Sequence, residues 1–509
     1  MEQHTGSGRH IAIIADRNRL RSFHEALAER LRRRPDTRVS MIHESPAAPL
    51  PASVDLFLSL EALLARSIGP RLSAPLQDGI AFEPAIGDAD IVIDLCGDAP
   101  RGPKTYAVLF DGTPGEQPLI GALLAGRMPV IEVKDVEAGT VVARGTACAD
   151  NAGTIVGAME NVLVRTLDLI ERALDRPASM AARHVPAASN ARLRDLVAFE
   201  ARSLPHNVAR RLYHLCCHAP HWRTCWRHVD GPGVWETRSL GGAPWNVVPD
   251  PGDHFYADPF PFVHHGSEWV FVEDLDHRTQ KGVISVIPFD DGGPSGAARP
   301  VLEEDWHLSY PCVFRHGGEI WMVPESVANR SVHLYRADPF PDRWVYEATL
   351  LDRIEASDAT VFEHAGAYWM TATTRDGRGS WSDCLSLFMA PDLLGPWEPH
   401  PANPVLIDAA AARPAGAVVT CEDRLFRPVQ DCTNGYGTGI GLAEITRLDR
   451  ESFEQRVLAV LRPEPGWPGK RLHTLNRAGR LECIDGSAHS PRSRLLAHWL
   501  QDWSGRRDD

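Results

Sequence analysis

Phe262-Val-His-His-Gly-Ser-Glu-Trp269, Phe314-Arg-His-Gly-Gly-Glu-Ile-Trp321 and Phe362-Glu-His-Ala-Gly-Ala-Tyr-Trp369 are one pattern, Phe-x-His-x-Gly-x-x-Trp, written three times without a gap. Successive tryptophans stand 52 and 48 residues apart. A repeat near 50 residues, built of strands and tight turns, marks the blades of a propeller. In this reading the Phe ends an inner strand, His-x-Gly turns the chain, and the Trp opens the next strand and packs between blades. A third strand follows in each copy: Val283-Ile-Ser-Val-Ile287, Val332-His-Leu-Tyr335 and Leu385-Ser-Leu-Phe388. Two weaker copies keep the spacing without the motif, one running from Arg413 to Phe426 and one from Leu472 to Ile484. Residues 231–490 therefore hold five blades.

Outward from the repeat, tryptophan usage marks a boundary: all 14 lie at or after Trp222. The first part reads as α/β. His10-Ile-Ala-Ile-Ile-Ala15, Ala89-Asp-Ile-Val-Ile-Asp-Leu95 and Tyr106-Ala-Val-Leu-Phe110 are short apolar runs typical of buried strands. Leu20, Phe23, Leu27 and Leu31 recur at helical spacing, and a long helix is expected from about Thr154 to Leu174. Pro129-Val-Ile-Glu-Val133 and Thr140-Val-Val-Ala143 form a strand pair around Glu137-Ala138-Gly139. Strands alternating with helices predict a Rossmann-like, mostly parallel sheet. The expected division is an α/β domain over 1–185, a helical connector over 186–230, the propeller over 231–490 and a tail over 491–509. Pro205 either interrupts the connector helix or starts a second one.

Composition removes several classes. The net charge of −14 argues against a nucleic-acid binder driven by phosphate contacts. Ten cysteines without a C-x-x-C pair are not a disulfide framework. No apolar run is long enough to span a bilayer, so no transmembrane segment is expected. The polar stretch Met1–His10 has no apolar core, which makes the cytoplasm the expected location. Asp16-Arg-Asn18 follows the first strand without G-x-G-x-x-G, and no Walker loop occurs, so no nucleotide cofactor is expected. His214, Cys216, Cys217, His218, His221, Cys225 and His228 are ligand types for zinc, but their spacing fits no standard finger and no metal is assigned.

In a propeller the innermost strands line a central channel where polar side chains from several blades converge. The residues four before each motif Phe are Asp258, Tyr310 and Asp358, and Arg413 takes the matching place in the fourth copy. Glu273 and Glu325 lie fifteen residues after the first two. Sugar transfer at such a site needs a carboxylate base or nucleophile and a carboxylic acid of raised pKa. The expected roles are Asp258 as base or nucleophile, Glu325 as proton donor and Asp358 as a tuner or hydroxyl ligand. Tyr310, His307, Arg413, Gln430 and His473 are expected to bind substrate, with Asp431 beside Gln430 a further hydroxyl ligand. The competing reading makes each of these residues a turn cap or a blade-edge group.

Two resemblances accompany these residues. Residues 10–175 resemble the formyltransferases that use formyl-tetrahydrofolate, carried by Asp88-Ala-Asp-Ile-Val-Ile-Asp-Leu-Cys-Gly97, Val108-Leu-Phe-Asp-Gly112 and Val136-Glu-Ala-Gly-Thr-Val-Val-Ala-Arg-Gly145. That family works with an Asn, a His and an Asp. Here the matching positions are Asp94, Phe110 or Asp111, and Glu137, so the resemblance implies a scaffold without formyl transfer. Residues 231–490 resemble the propeller forming the N-terminal region of the plant glucosamine inositolphosphorylceramide transferases. They are also similar to the glycoside hydrolase clan of furanosidases and arabinanases. Tyr256-Ala-Asp-Pro-Phe-Pro-Phe262, His307-Leu-Ser-Tyr-Pro311, Val323-Pro-Glu-Ser326, Ser357-Asp-Ala359, Arg413-Pro-Ala-Gly416 and Arg427-Pro-Val-Gln-Asp431 carry the likeness. It implies a catalytic Asp at Asp258. The hydrolases' second-blade acid falls at Tyr310, and their general acid is not at Asp358. The plant family also has a separate glycosyltransferase domain with no counterpart here.

Together these readings imply a carbohydrate-active protein: glycosyl transfer in glycan or glycolipid assembly, at the propeller channel, on a sugar, sugar-phosphate or glycolipid. Two alternatives are a non-catalytic glycan-binding propeller on a degenerate formyltransferase scaffold, and an active sugar formyltransferase.

Overall fold

The computed structural model describes residues 9–64, 71–76, 79–150, 153–181, 183–421, 423–464, 467 and 469–492. Of the expected tail, 493–509 lie outside the described residues. The chain divides into two compact units, residues 1–204 with 378–380, and residues 205–377 with 381–509.

The first unit is a mixed α/β sheet. Its strands are β1 (Arg9–Ala15), β2 (Thr37–His43), β3 (Ile91–Asp94), β4 (Thr105–Phe110), the two-residue β5 (Thr113–Pro114), β6 (Val130–Asp135) and β7 (Thr140–Thr146). Its helices are α1 (Ser22–Arg32), α2 (Ala52–Leu64), α3 (Glu116–Leu124) and α4 (Ile155–Asp175). The order β2-β1-β3-β4-β6-β7 is parallel through β4 and antiparallel beyond it. Ile11 through Ala15 are fully buried, as a central strand covered on both faces requires. Thr154 starts α4 by accepting a hydrogen bond from the Gly157 amide at 3.0 Å. The apolar runs located β1, β3, β4 and the β6–β7 pair; β2, α2 and α3 were not foreseen.

The three positions matched to formyltransferase residues do not share a site. Asp94 is buried at the end of β3, where it accepts from the amides of Cys96 and Gly97. Asp111 follows β4 and pairs with Arg127 at 2.6 Å. Glu137 accepts instead from the amide of Thr105, at the opposite end of β4.

Helix α5 (Leu193–Cys216) is continuous and carries Pro205 inside it. The expected helical connector over 186–230 is therefore corrected at its C-terminal end. Trp222–His228 is not connector but a strand of the propeller.

The second unit is a five-bladed propeller. Three blades follow in chain order, with inner strands His254–His264, Ser309–His316 and Glu355–His364. The fourth is built on Arg424–Asp431, Gly439–Leu448 and Phe453–Leu461, with Pro414 bridged to Val429 on its inner side. The fifth joins the two ends of the unit. Leu472–Ala478 and Leu481–Ser487 supply its inner half, and Trp222–His228 adds antiparallel to Leu481–Ser487. Asn246–Val247 then adds outside it. This closure covers the Leu481–Ser487 edge and joins the two ends of the unit in one blade.

The motif has a local cause. Each motif Phe faces its Trp across a hairpin. The two turn residues have positive φ in all three copies: His265 and Gly266 (48° and 80°), Gly317 and Gly318 (59° and 84°), Ala365 and Gly366 (50° and 74°). That is the type I′ turn whose twist matches paired strands. The indoles of Trp321 and Trp369 donate to the carbonyls of His316 and His364, at 3.1 and 3.2 Å.

Candidate functional site

The inner strands of three blades break register at one equivalent place: between Ala257 and Phe260, Ser309 and Cys312, and Ser357 and Thr360. At each break a non-glycine residue takes positive φ: Asp258 (50°), Tyr310 (44°) and Asp358 (55°). Such bulges re-aim a side chain, and the conformation costs of order 1–2 kcal/mol for a residue with a Cβ. The fifth blade breaks between Leu472 and Leu475, which puts His473 in the matching place. Beside the first two bulges, Glu273 faces Ala257 and Glu325 faces Ser309 across the ladder.

These residues converge. The Asp258 amide donates to Asp485 Oδ2 at 2.9 Å, and the Asp258 carboxylate accepts from Thr474 Oγ1 at 2.6 Å and from the Tyr310 amide at 3.2 Å. His473 stands between two carboxylates, its Nδ1 2.6 Å from Asp485 and its Nε2 3.2 Å from Asp258. Asp358 receives Arg413 through Nε at 2.6 Å and Nη2 at 3.3 Å, and Gln430 Nε2 at 3.2 Å. Glu325 Oε2 accepts from the Asp358 amide at 3.0 Å and from the Ser357 hydroxyl. The Tyr310 hydroxyl accepts from the Gly416 amide at 2.7 Å, leaving its proton for Thr360 Oγ1 at 2.9 Å. It thereby ties three blades together with no atom left for a substrate. His307 Nδ1 accepts from the Gly282 amide, so its Nε2 carries the proton and faces Glu273 at 3.3 Å. Asp431 turns away to Arg462.

Five carboxyl groups thus lie with two cations in a buried cluster, every carboxyl residue 9% exposed or less. Burial is the first cause of the resulting shifts. It pushes Asp258 up to about 6, with Asp485 and Asp358 adding to it and His473 opposing. Asp358 rises to about 7 despite Arg413. Glu273, which meets Asp258 and Glu325 with no cation of its own, is held well above the carboxylate range. His473 goes the other way from a lone buried imidazole: burial pulls it down, but Asp485 and Asp258 hold it up at about 9. At neutral pH the cluster offers an ionised Asp258 and a cationic His473, beside a Glu273 whose protonated form is favoured by burial and by its acidic neighbours.

Aromatic rings wall the cluster. Trp222 stacks on His473 with centroids 4.1 Å apart, and the half-buried Tyr436 lies 5.3 Å from His473 with the Arg413 guanidinium 4.8 Å from its ring. Asp258, His473 and Asp485 present atoms within 4.8 Å of one another, two carboxylates and an imidazole, a donor set suited to a divalent transition metal. A cation there would compete with the proton on His473, because only neutral imidazole ligates.

All eight site residues expected from the sequence are present in this network, His307 through Glu273 and the other seven directly. The reading missed Asp485, Trp222 and Tyr436. Asp485 and Trp222 belong to the fifth blade, whose copy lacks the motif. The His/Cys series of the connector does not gather: His218 and His221 stack on His277, Cys217 and Cys225 are buried separately, and His228 pairs with Glu268.

Residues 248–483 match the family model described as glucosamine inositolphosphorylceramide transferase 1, N-terminal. The chain is 32% identical over 281 residues to the glucosamine inositolphosphorylceramide transferase 1 of Oryza sativa subsp. japonica, covering 52% of this chain and 36% of that protein. To the Arabidopsis thaliana protein of the same name it is 33% identical over 232 residues, covering 43% and 30%. The match thus spans about a third of the length of these relatives. Among solved structures, a family 117 glycoside hydrolase from Zobellia galactanivorans aligns at a TM-score of 0.35 and 12% identity, covering 52% of this chain and 90% of that one. A β-xylosidase aligns at 0.33 and 12%, covering 41% and 77%.

Proposed function

We propose that the propeller channel binds a sugar-bearing substrate and carries glycosyl transfer in glycolipid assembly. The observation that supports this is the pairing of carboxyl states in one cluster. Asp258 is ionised at neutral pH and suited to act as base or nucleophile, while Glu273 is pushed toward its protonated form and suited to give a proton to a leaving oxygen. Glu325 is the second donor candidate, held by Ser357 and the Asp358 amide. Arg413, Gln430 and His473 position the acids, and the half-buried Tyr436 beside His473 offers the exposed part of its ring to a sugar. The likeness to glucosamine inositolphosphorylceramide transferases supports a glycolipid as acceptor or product.

The depth of the cluster favours a second reading. With Asp358 saturated by Arg413 and Gln430, the ionic core can serve as the hub of a non-catalytic glycan-binding propeller. In either reading the first unit is a degenerate formyltransferase-type scaffold. That is supported by its parallel strands and by the structural use of Asp94, Asp111 and Glu137. A thermal-shift screen with sugar nucleotides, folates, oligosaccharides and glycolipid headgroups separates them. A ligand that is then turned over supports transfer, and one that is only bound supports the module. A folate response would overturn the scaffold reading.

A further inference from the structure

Helix α5 carries none of the channel residues, yet its sequence is organised. Leu193, Val197, Leu204, Val208, Leu212 and Leu215 are all exposed, between 51% and 74%. At 100° per residue these six positions fall within an arc of about 100°, a single stripe along the helix. The spacing stays in step with the helical repeat from one end to the other. Leu196 is the one buried residue in the helix. An apolar stripe of this length left in water needs a partner surface.

The charges indicate which. The chain carries −14, but α5 holds four arginines, Arg194, Arg202, Arg210 and Arg211, against Asp195 and Glu200. Arg194 and Arg211 border the stripe on its two sides. Arg210 and Arg211 are exposed and make no hydrogen bond or ion pair among the described residues. Guanidinium groups at both edges of an apolar stripe, Arg211 on one side and Arg194 on the other, match a surface that is negative on the outside and apolar beneath. A segment of this kind lies in the plane of a bilayer, the aliphatic side chains below the headgroups and the arginines among the phosphates. The helix is not apolar enough to cross a membrane.

We propose that α5 is an interfacial helix that docks the protein on an anionic lipid surface. The test is co-sedimentation of the full chain with vesicles of phosphatidylcholine alone and with a third of phosphatidylserine. The full chain should pellet with the anionic vesicles, bind neutral ones at least about tenfold more weakly, and release as salt is raised. Leu204→Asp with Val208→Asp should abolish binding, and Arg194→Ala with Arg211→Ala should weaken it about tenfold, while the melting temperature of each variant stays that of the parent. No binding to anionic vesicles, or equal binding by the Asp variant, overturns the proposal. So does a self-association seen by analytical ultracentrifugation that the same Asp pair dissolves, because the stripe then belongs to a second copy. Turnover at the channel is a separate readout, so failure here and failure of the glycosyl-transfer reading are distinguishable.

Discussion

His473 Nε2 lies 3.2 Å from the carboxylate of Asp258, while its other nitrogen is 2.6 Å from Asp485. A cation shared by two buried acids makes the fold pH-sensitive in a definite direction. His473 sits at about 9 against an ordinary 6.5, so its stabilisation is complete below 6.5 and is lost as pH rises through 9. Asp258 and Asp358, raised to about 6 and about 7, also favour the fold when protonated, and that contribution fades as pH rises through those values. The melting temperature should therefore fall steadily from weakly acid to alkaline pH. His473→Gln should remove the alkaline part of that slope. A melting temperature that is flat or rising between neutral pH and about 9.5 would contradict the assigned charge states.

Arg413 and Asp358 form the second ion pair of the cluster, joining the third and fourth blades. Removing one partner strands the other charge, and Arg413→Met should cost about 3–5 kcal/mol in chemical denaturation. Adding Asp358→Asn should recover part of that loss, since the remaining amide no longer needs a cation. Losses that simply add would mean that the two residues do not interact.

Two glycines with positive φ should respond differently to alanine. At Gly366 (φ 74°) a Cβ meets nothing within 4 Å, so Gly366→Ala costs only backbone strain, about 1 kcal/mol. At Gly416 (φ 141°) a Cβ would stand 2.3 Å from the Leu475 carbonyl, and the displaced amide would also lose the Tyr310 hydroxyl. Gly416→Ala should lower the melting temperature several times further, and equal effects would refute the packing described for the channel.

Blade closure sets a boundary that truncation can check. A chain starting at residue 205 retains Trp222–His228 and should give a cooperative melt. A chain starting at residue 231 exposes the edge of Leu481–Ser487, and it should aggregate or melt broadly. Equal behaviour of the two would return the strand to the connector.

The same strand shows where local reading of the sequence stops. The motif made three blades legible because hairpins are local: Phe, turn and Trp lie within eight residues, and the second turn position, at φ 74–84°, favours Gly. Counting back four from each Phe reached Asp258, Tyr310 and Asp358 because the bulge recurs with the repeat. Arg227 and Glu482 are paired in the fifth blade although they lie 255 residues apart, and nothing local to Trp222–His228 announces that partner. Asp485 was missed for this reason. The protonation of Glu273 was not legible either, because it comes from acids on other blades meeting it in space.

The remaining prediction concerns chemistry at the cluster. If Asp258 is base or nucleophile and Glu273 the proton donor, Asp258→Asn and Glu273→Gln should each lower turnover by about two to four orders of magnitude. The substrate is whichever glycosyl compound the thermal-shift screen identifies. Both substitutions keep side-chain volume, and Glu273→Gln replaces a neutral acid by a neutral amide, so its melting temperature should change little. Glu325→Gln discriminates between the two donor candidates. It should leave the rate within about tenfold if Glu273 gives the proton, and abolish turnover if Glu325 does. The pH profile adds a second test. Activity carried by an ionised Asp258 should rise as pH passes about 6, and Asp258→Asn should erase that limb. Unchanged rates in all three variants, with binding retained, would leave the glycan-binding module as the reading that stands.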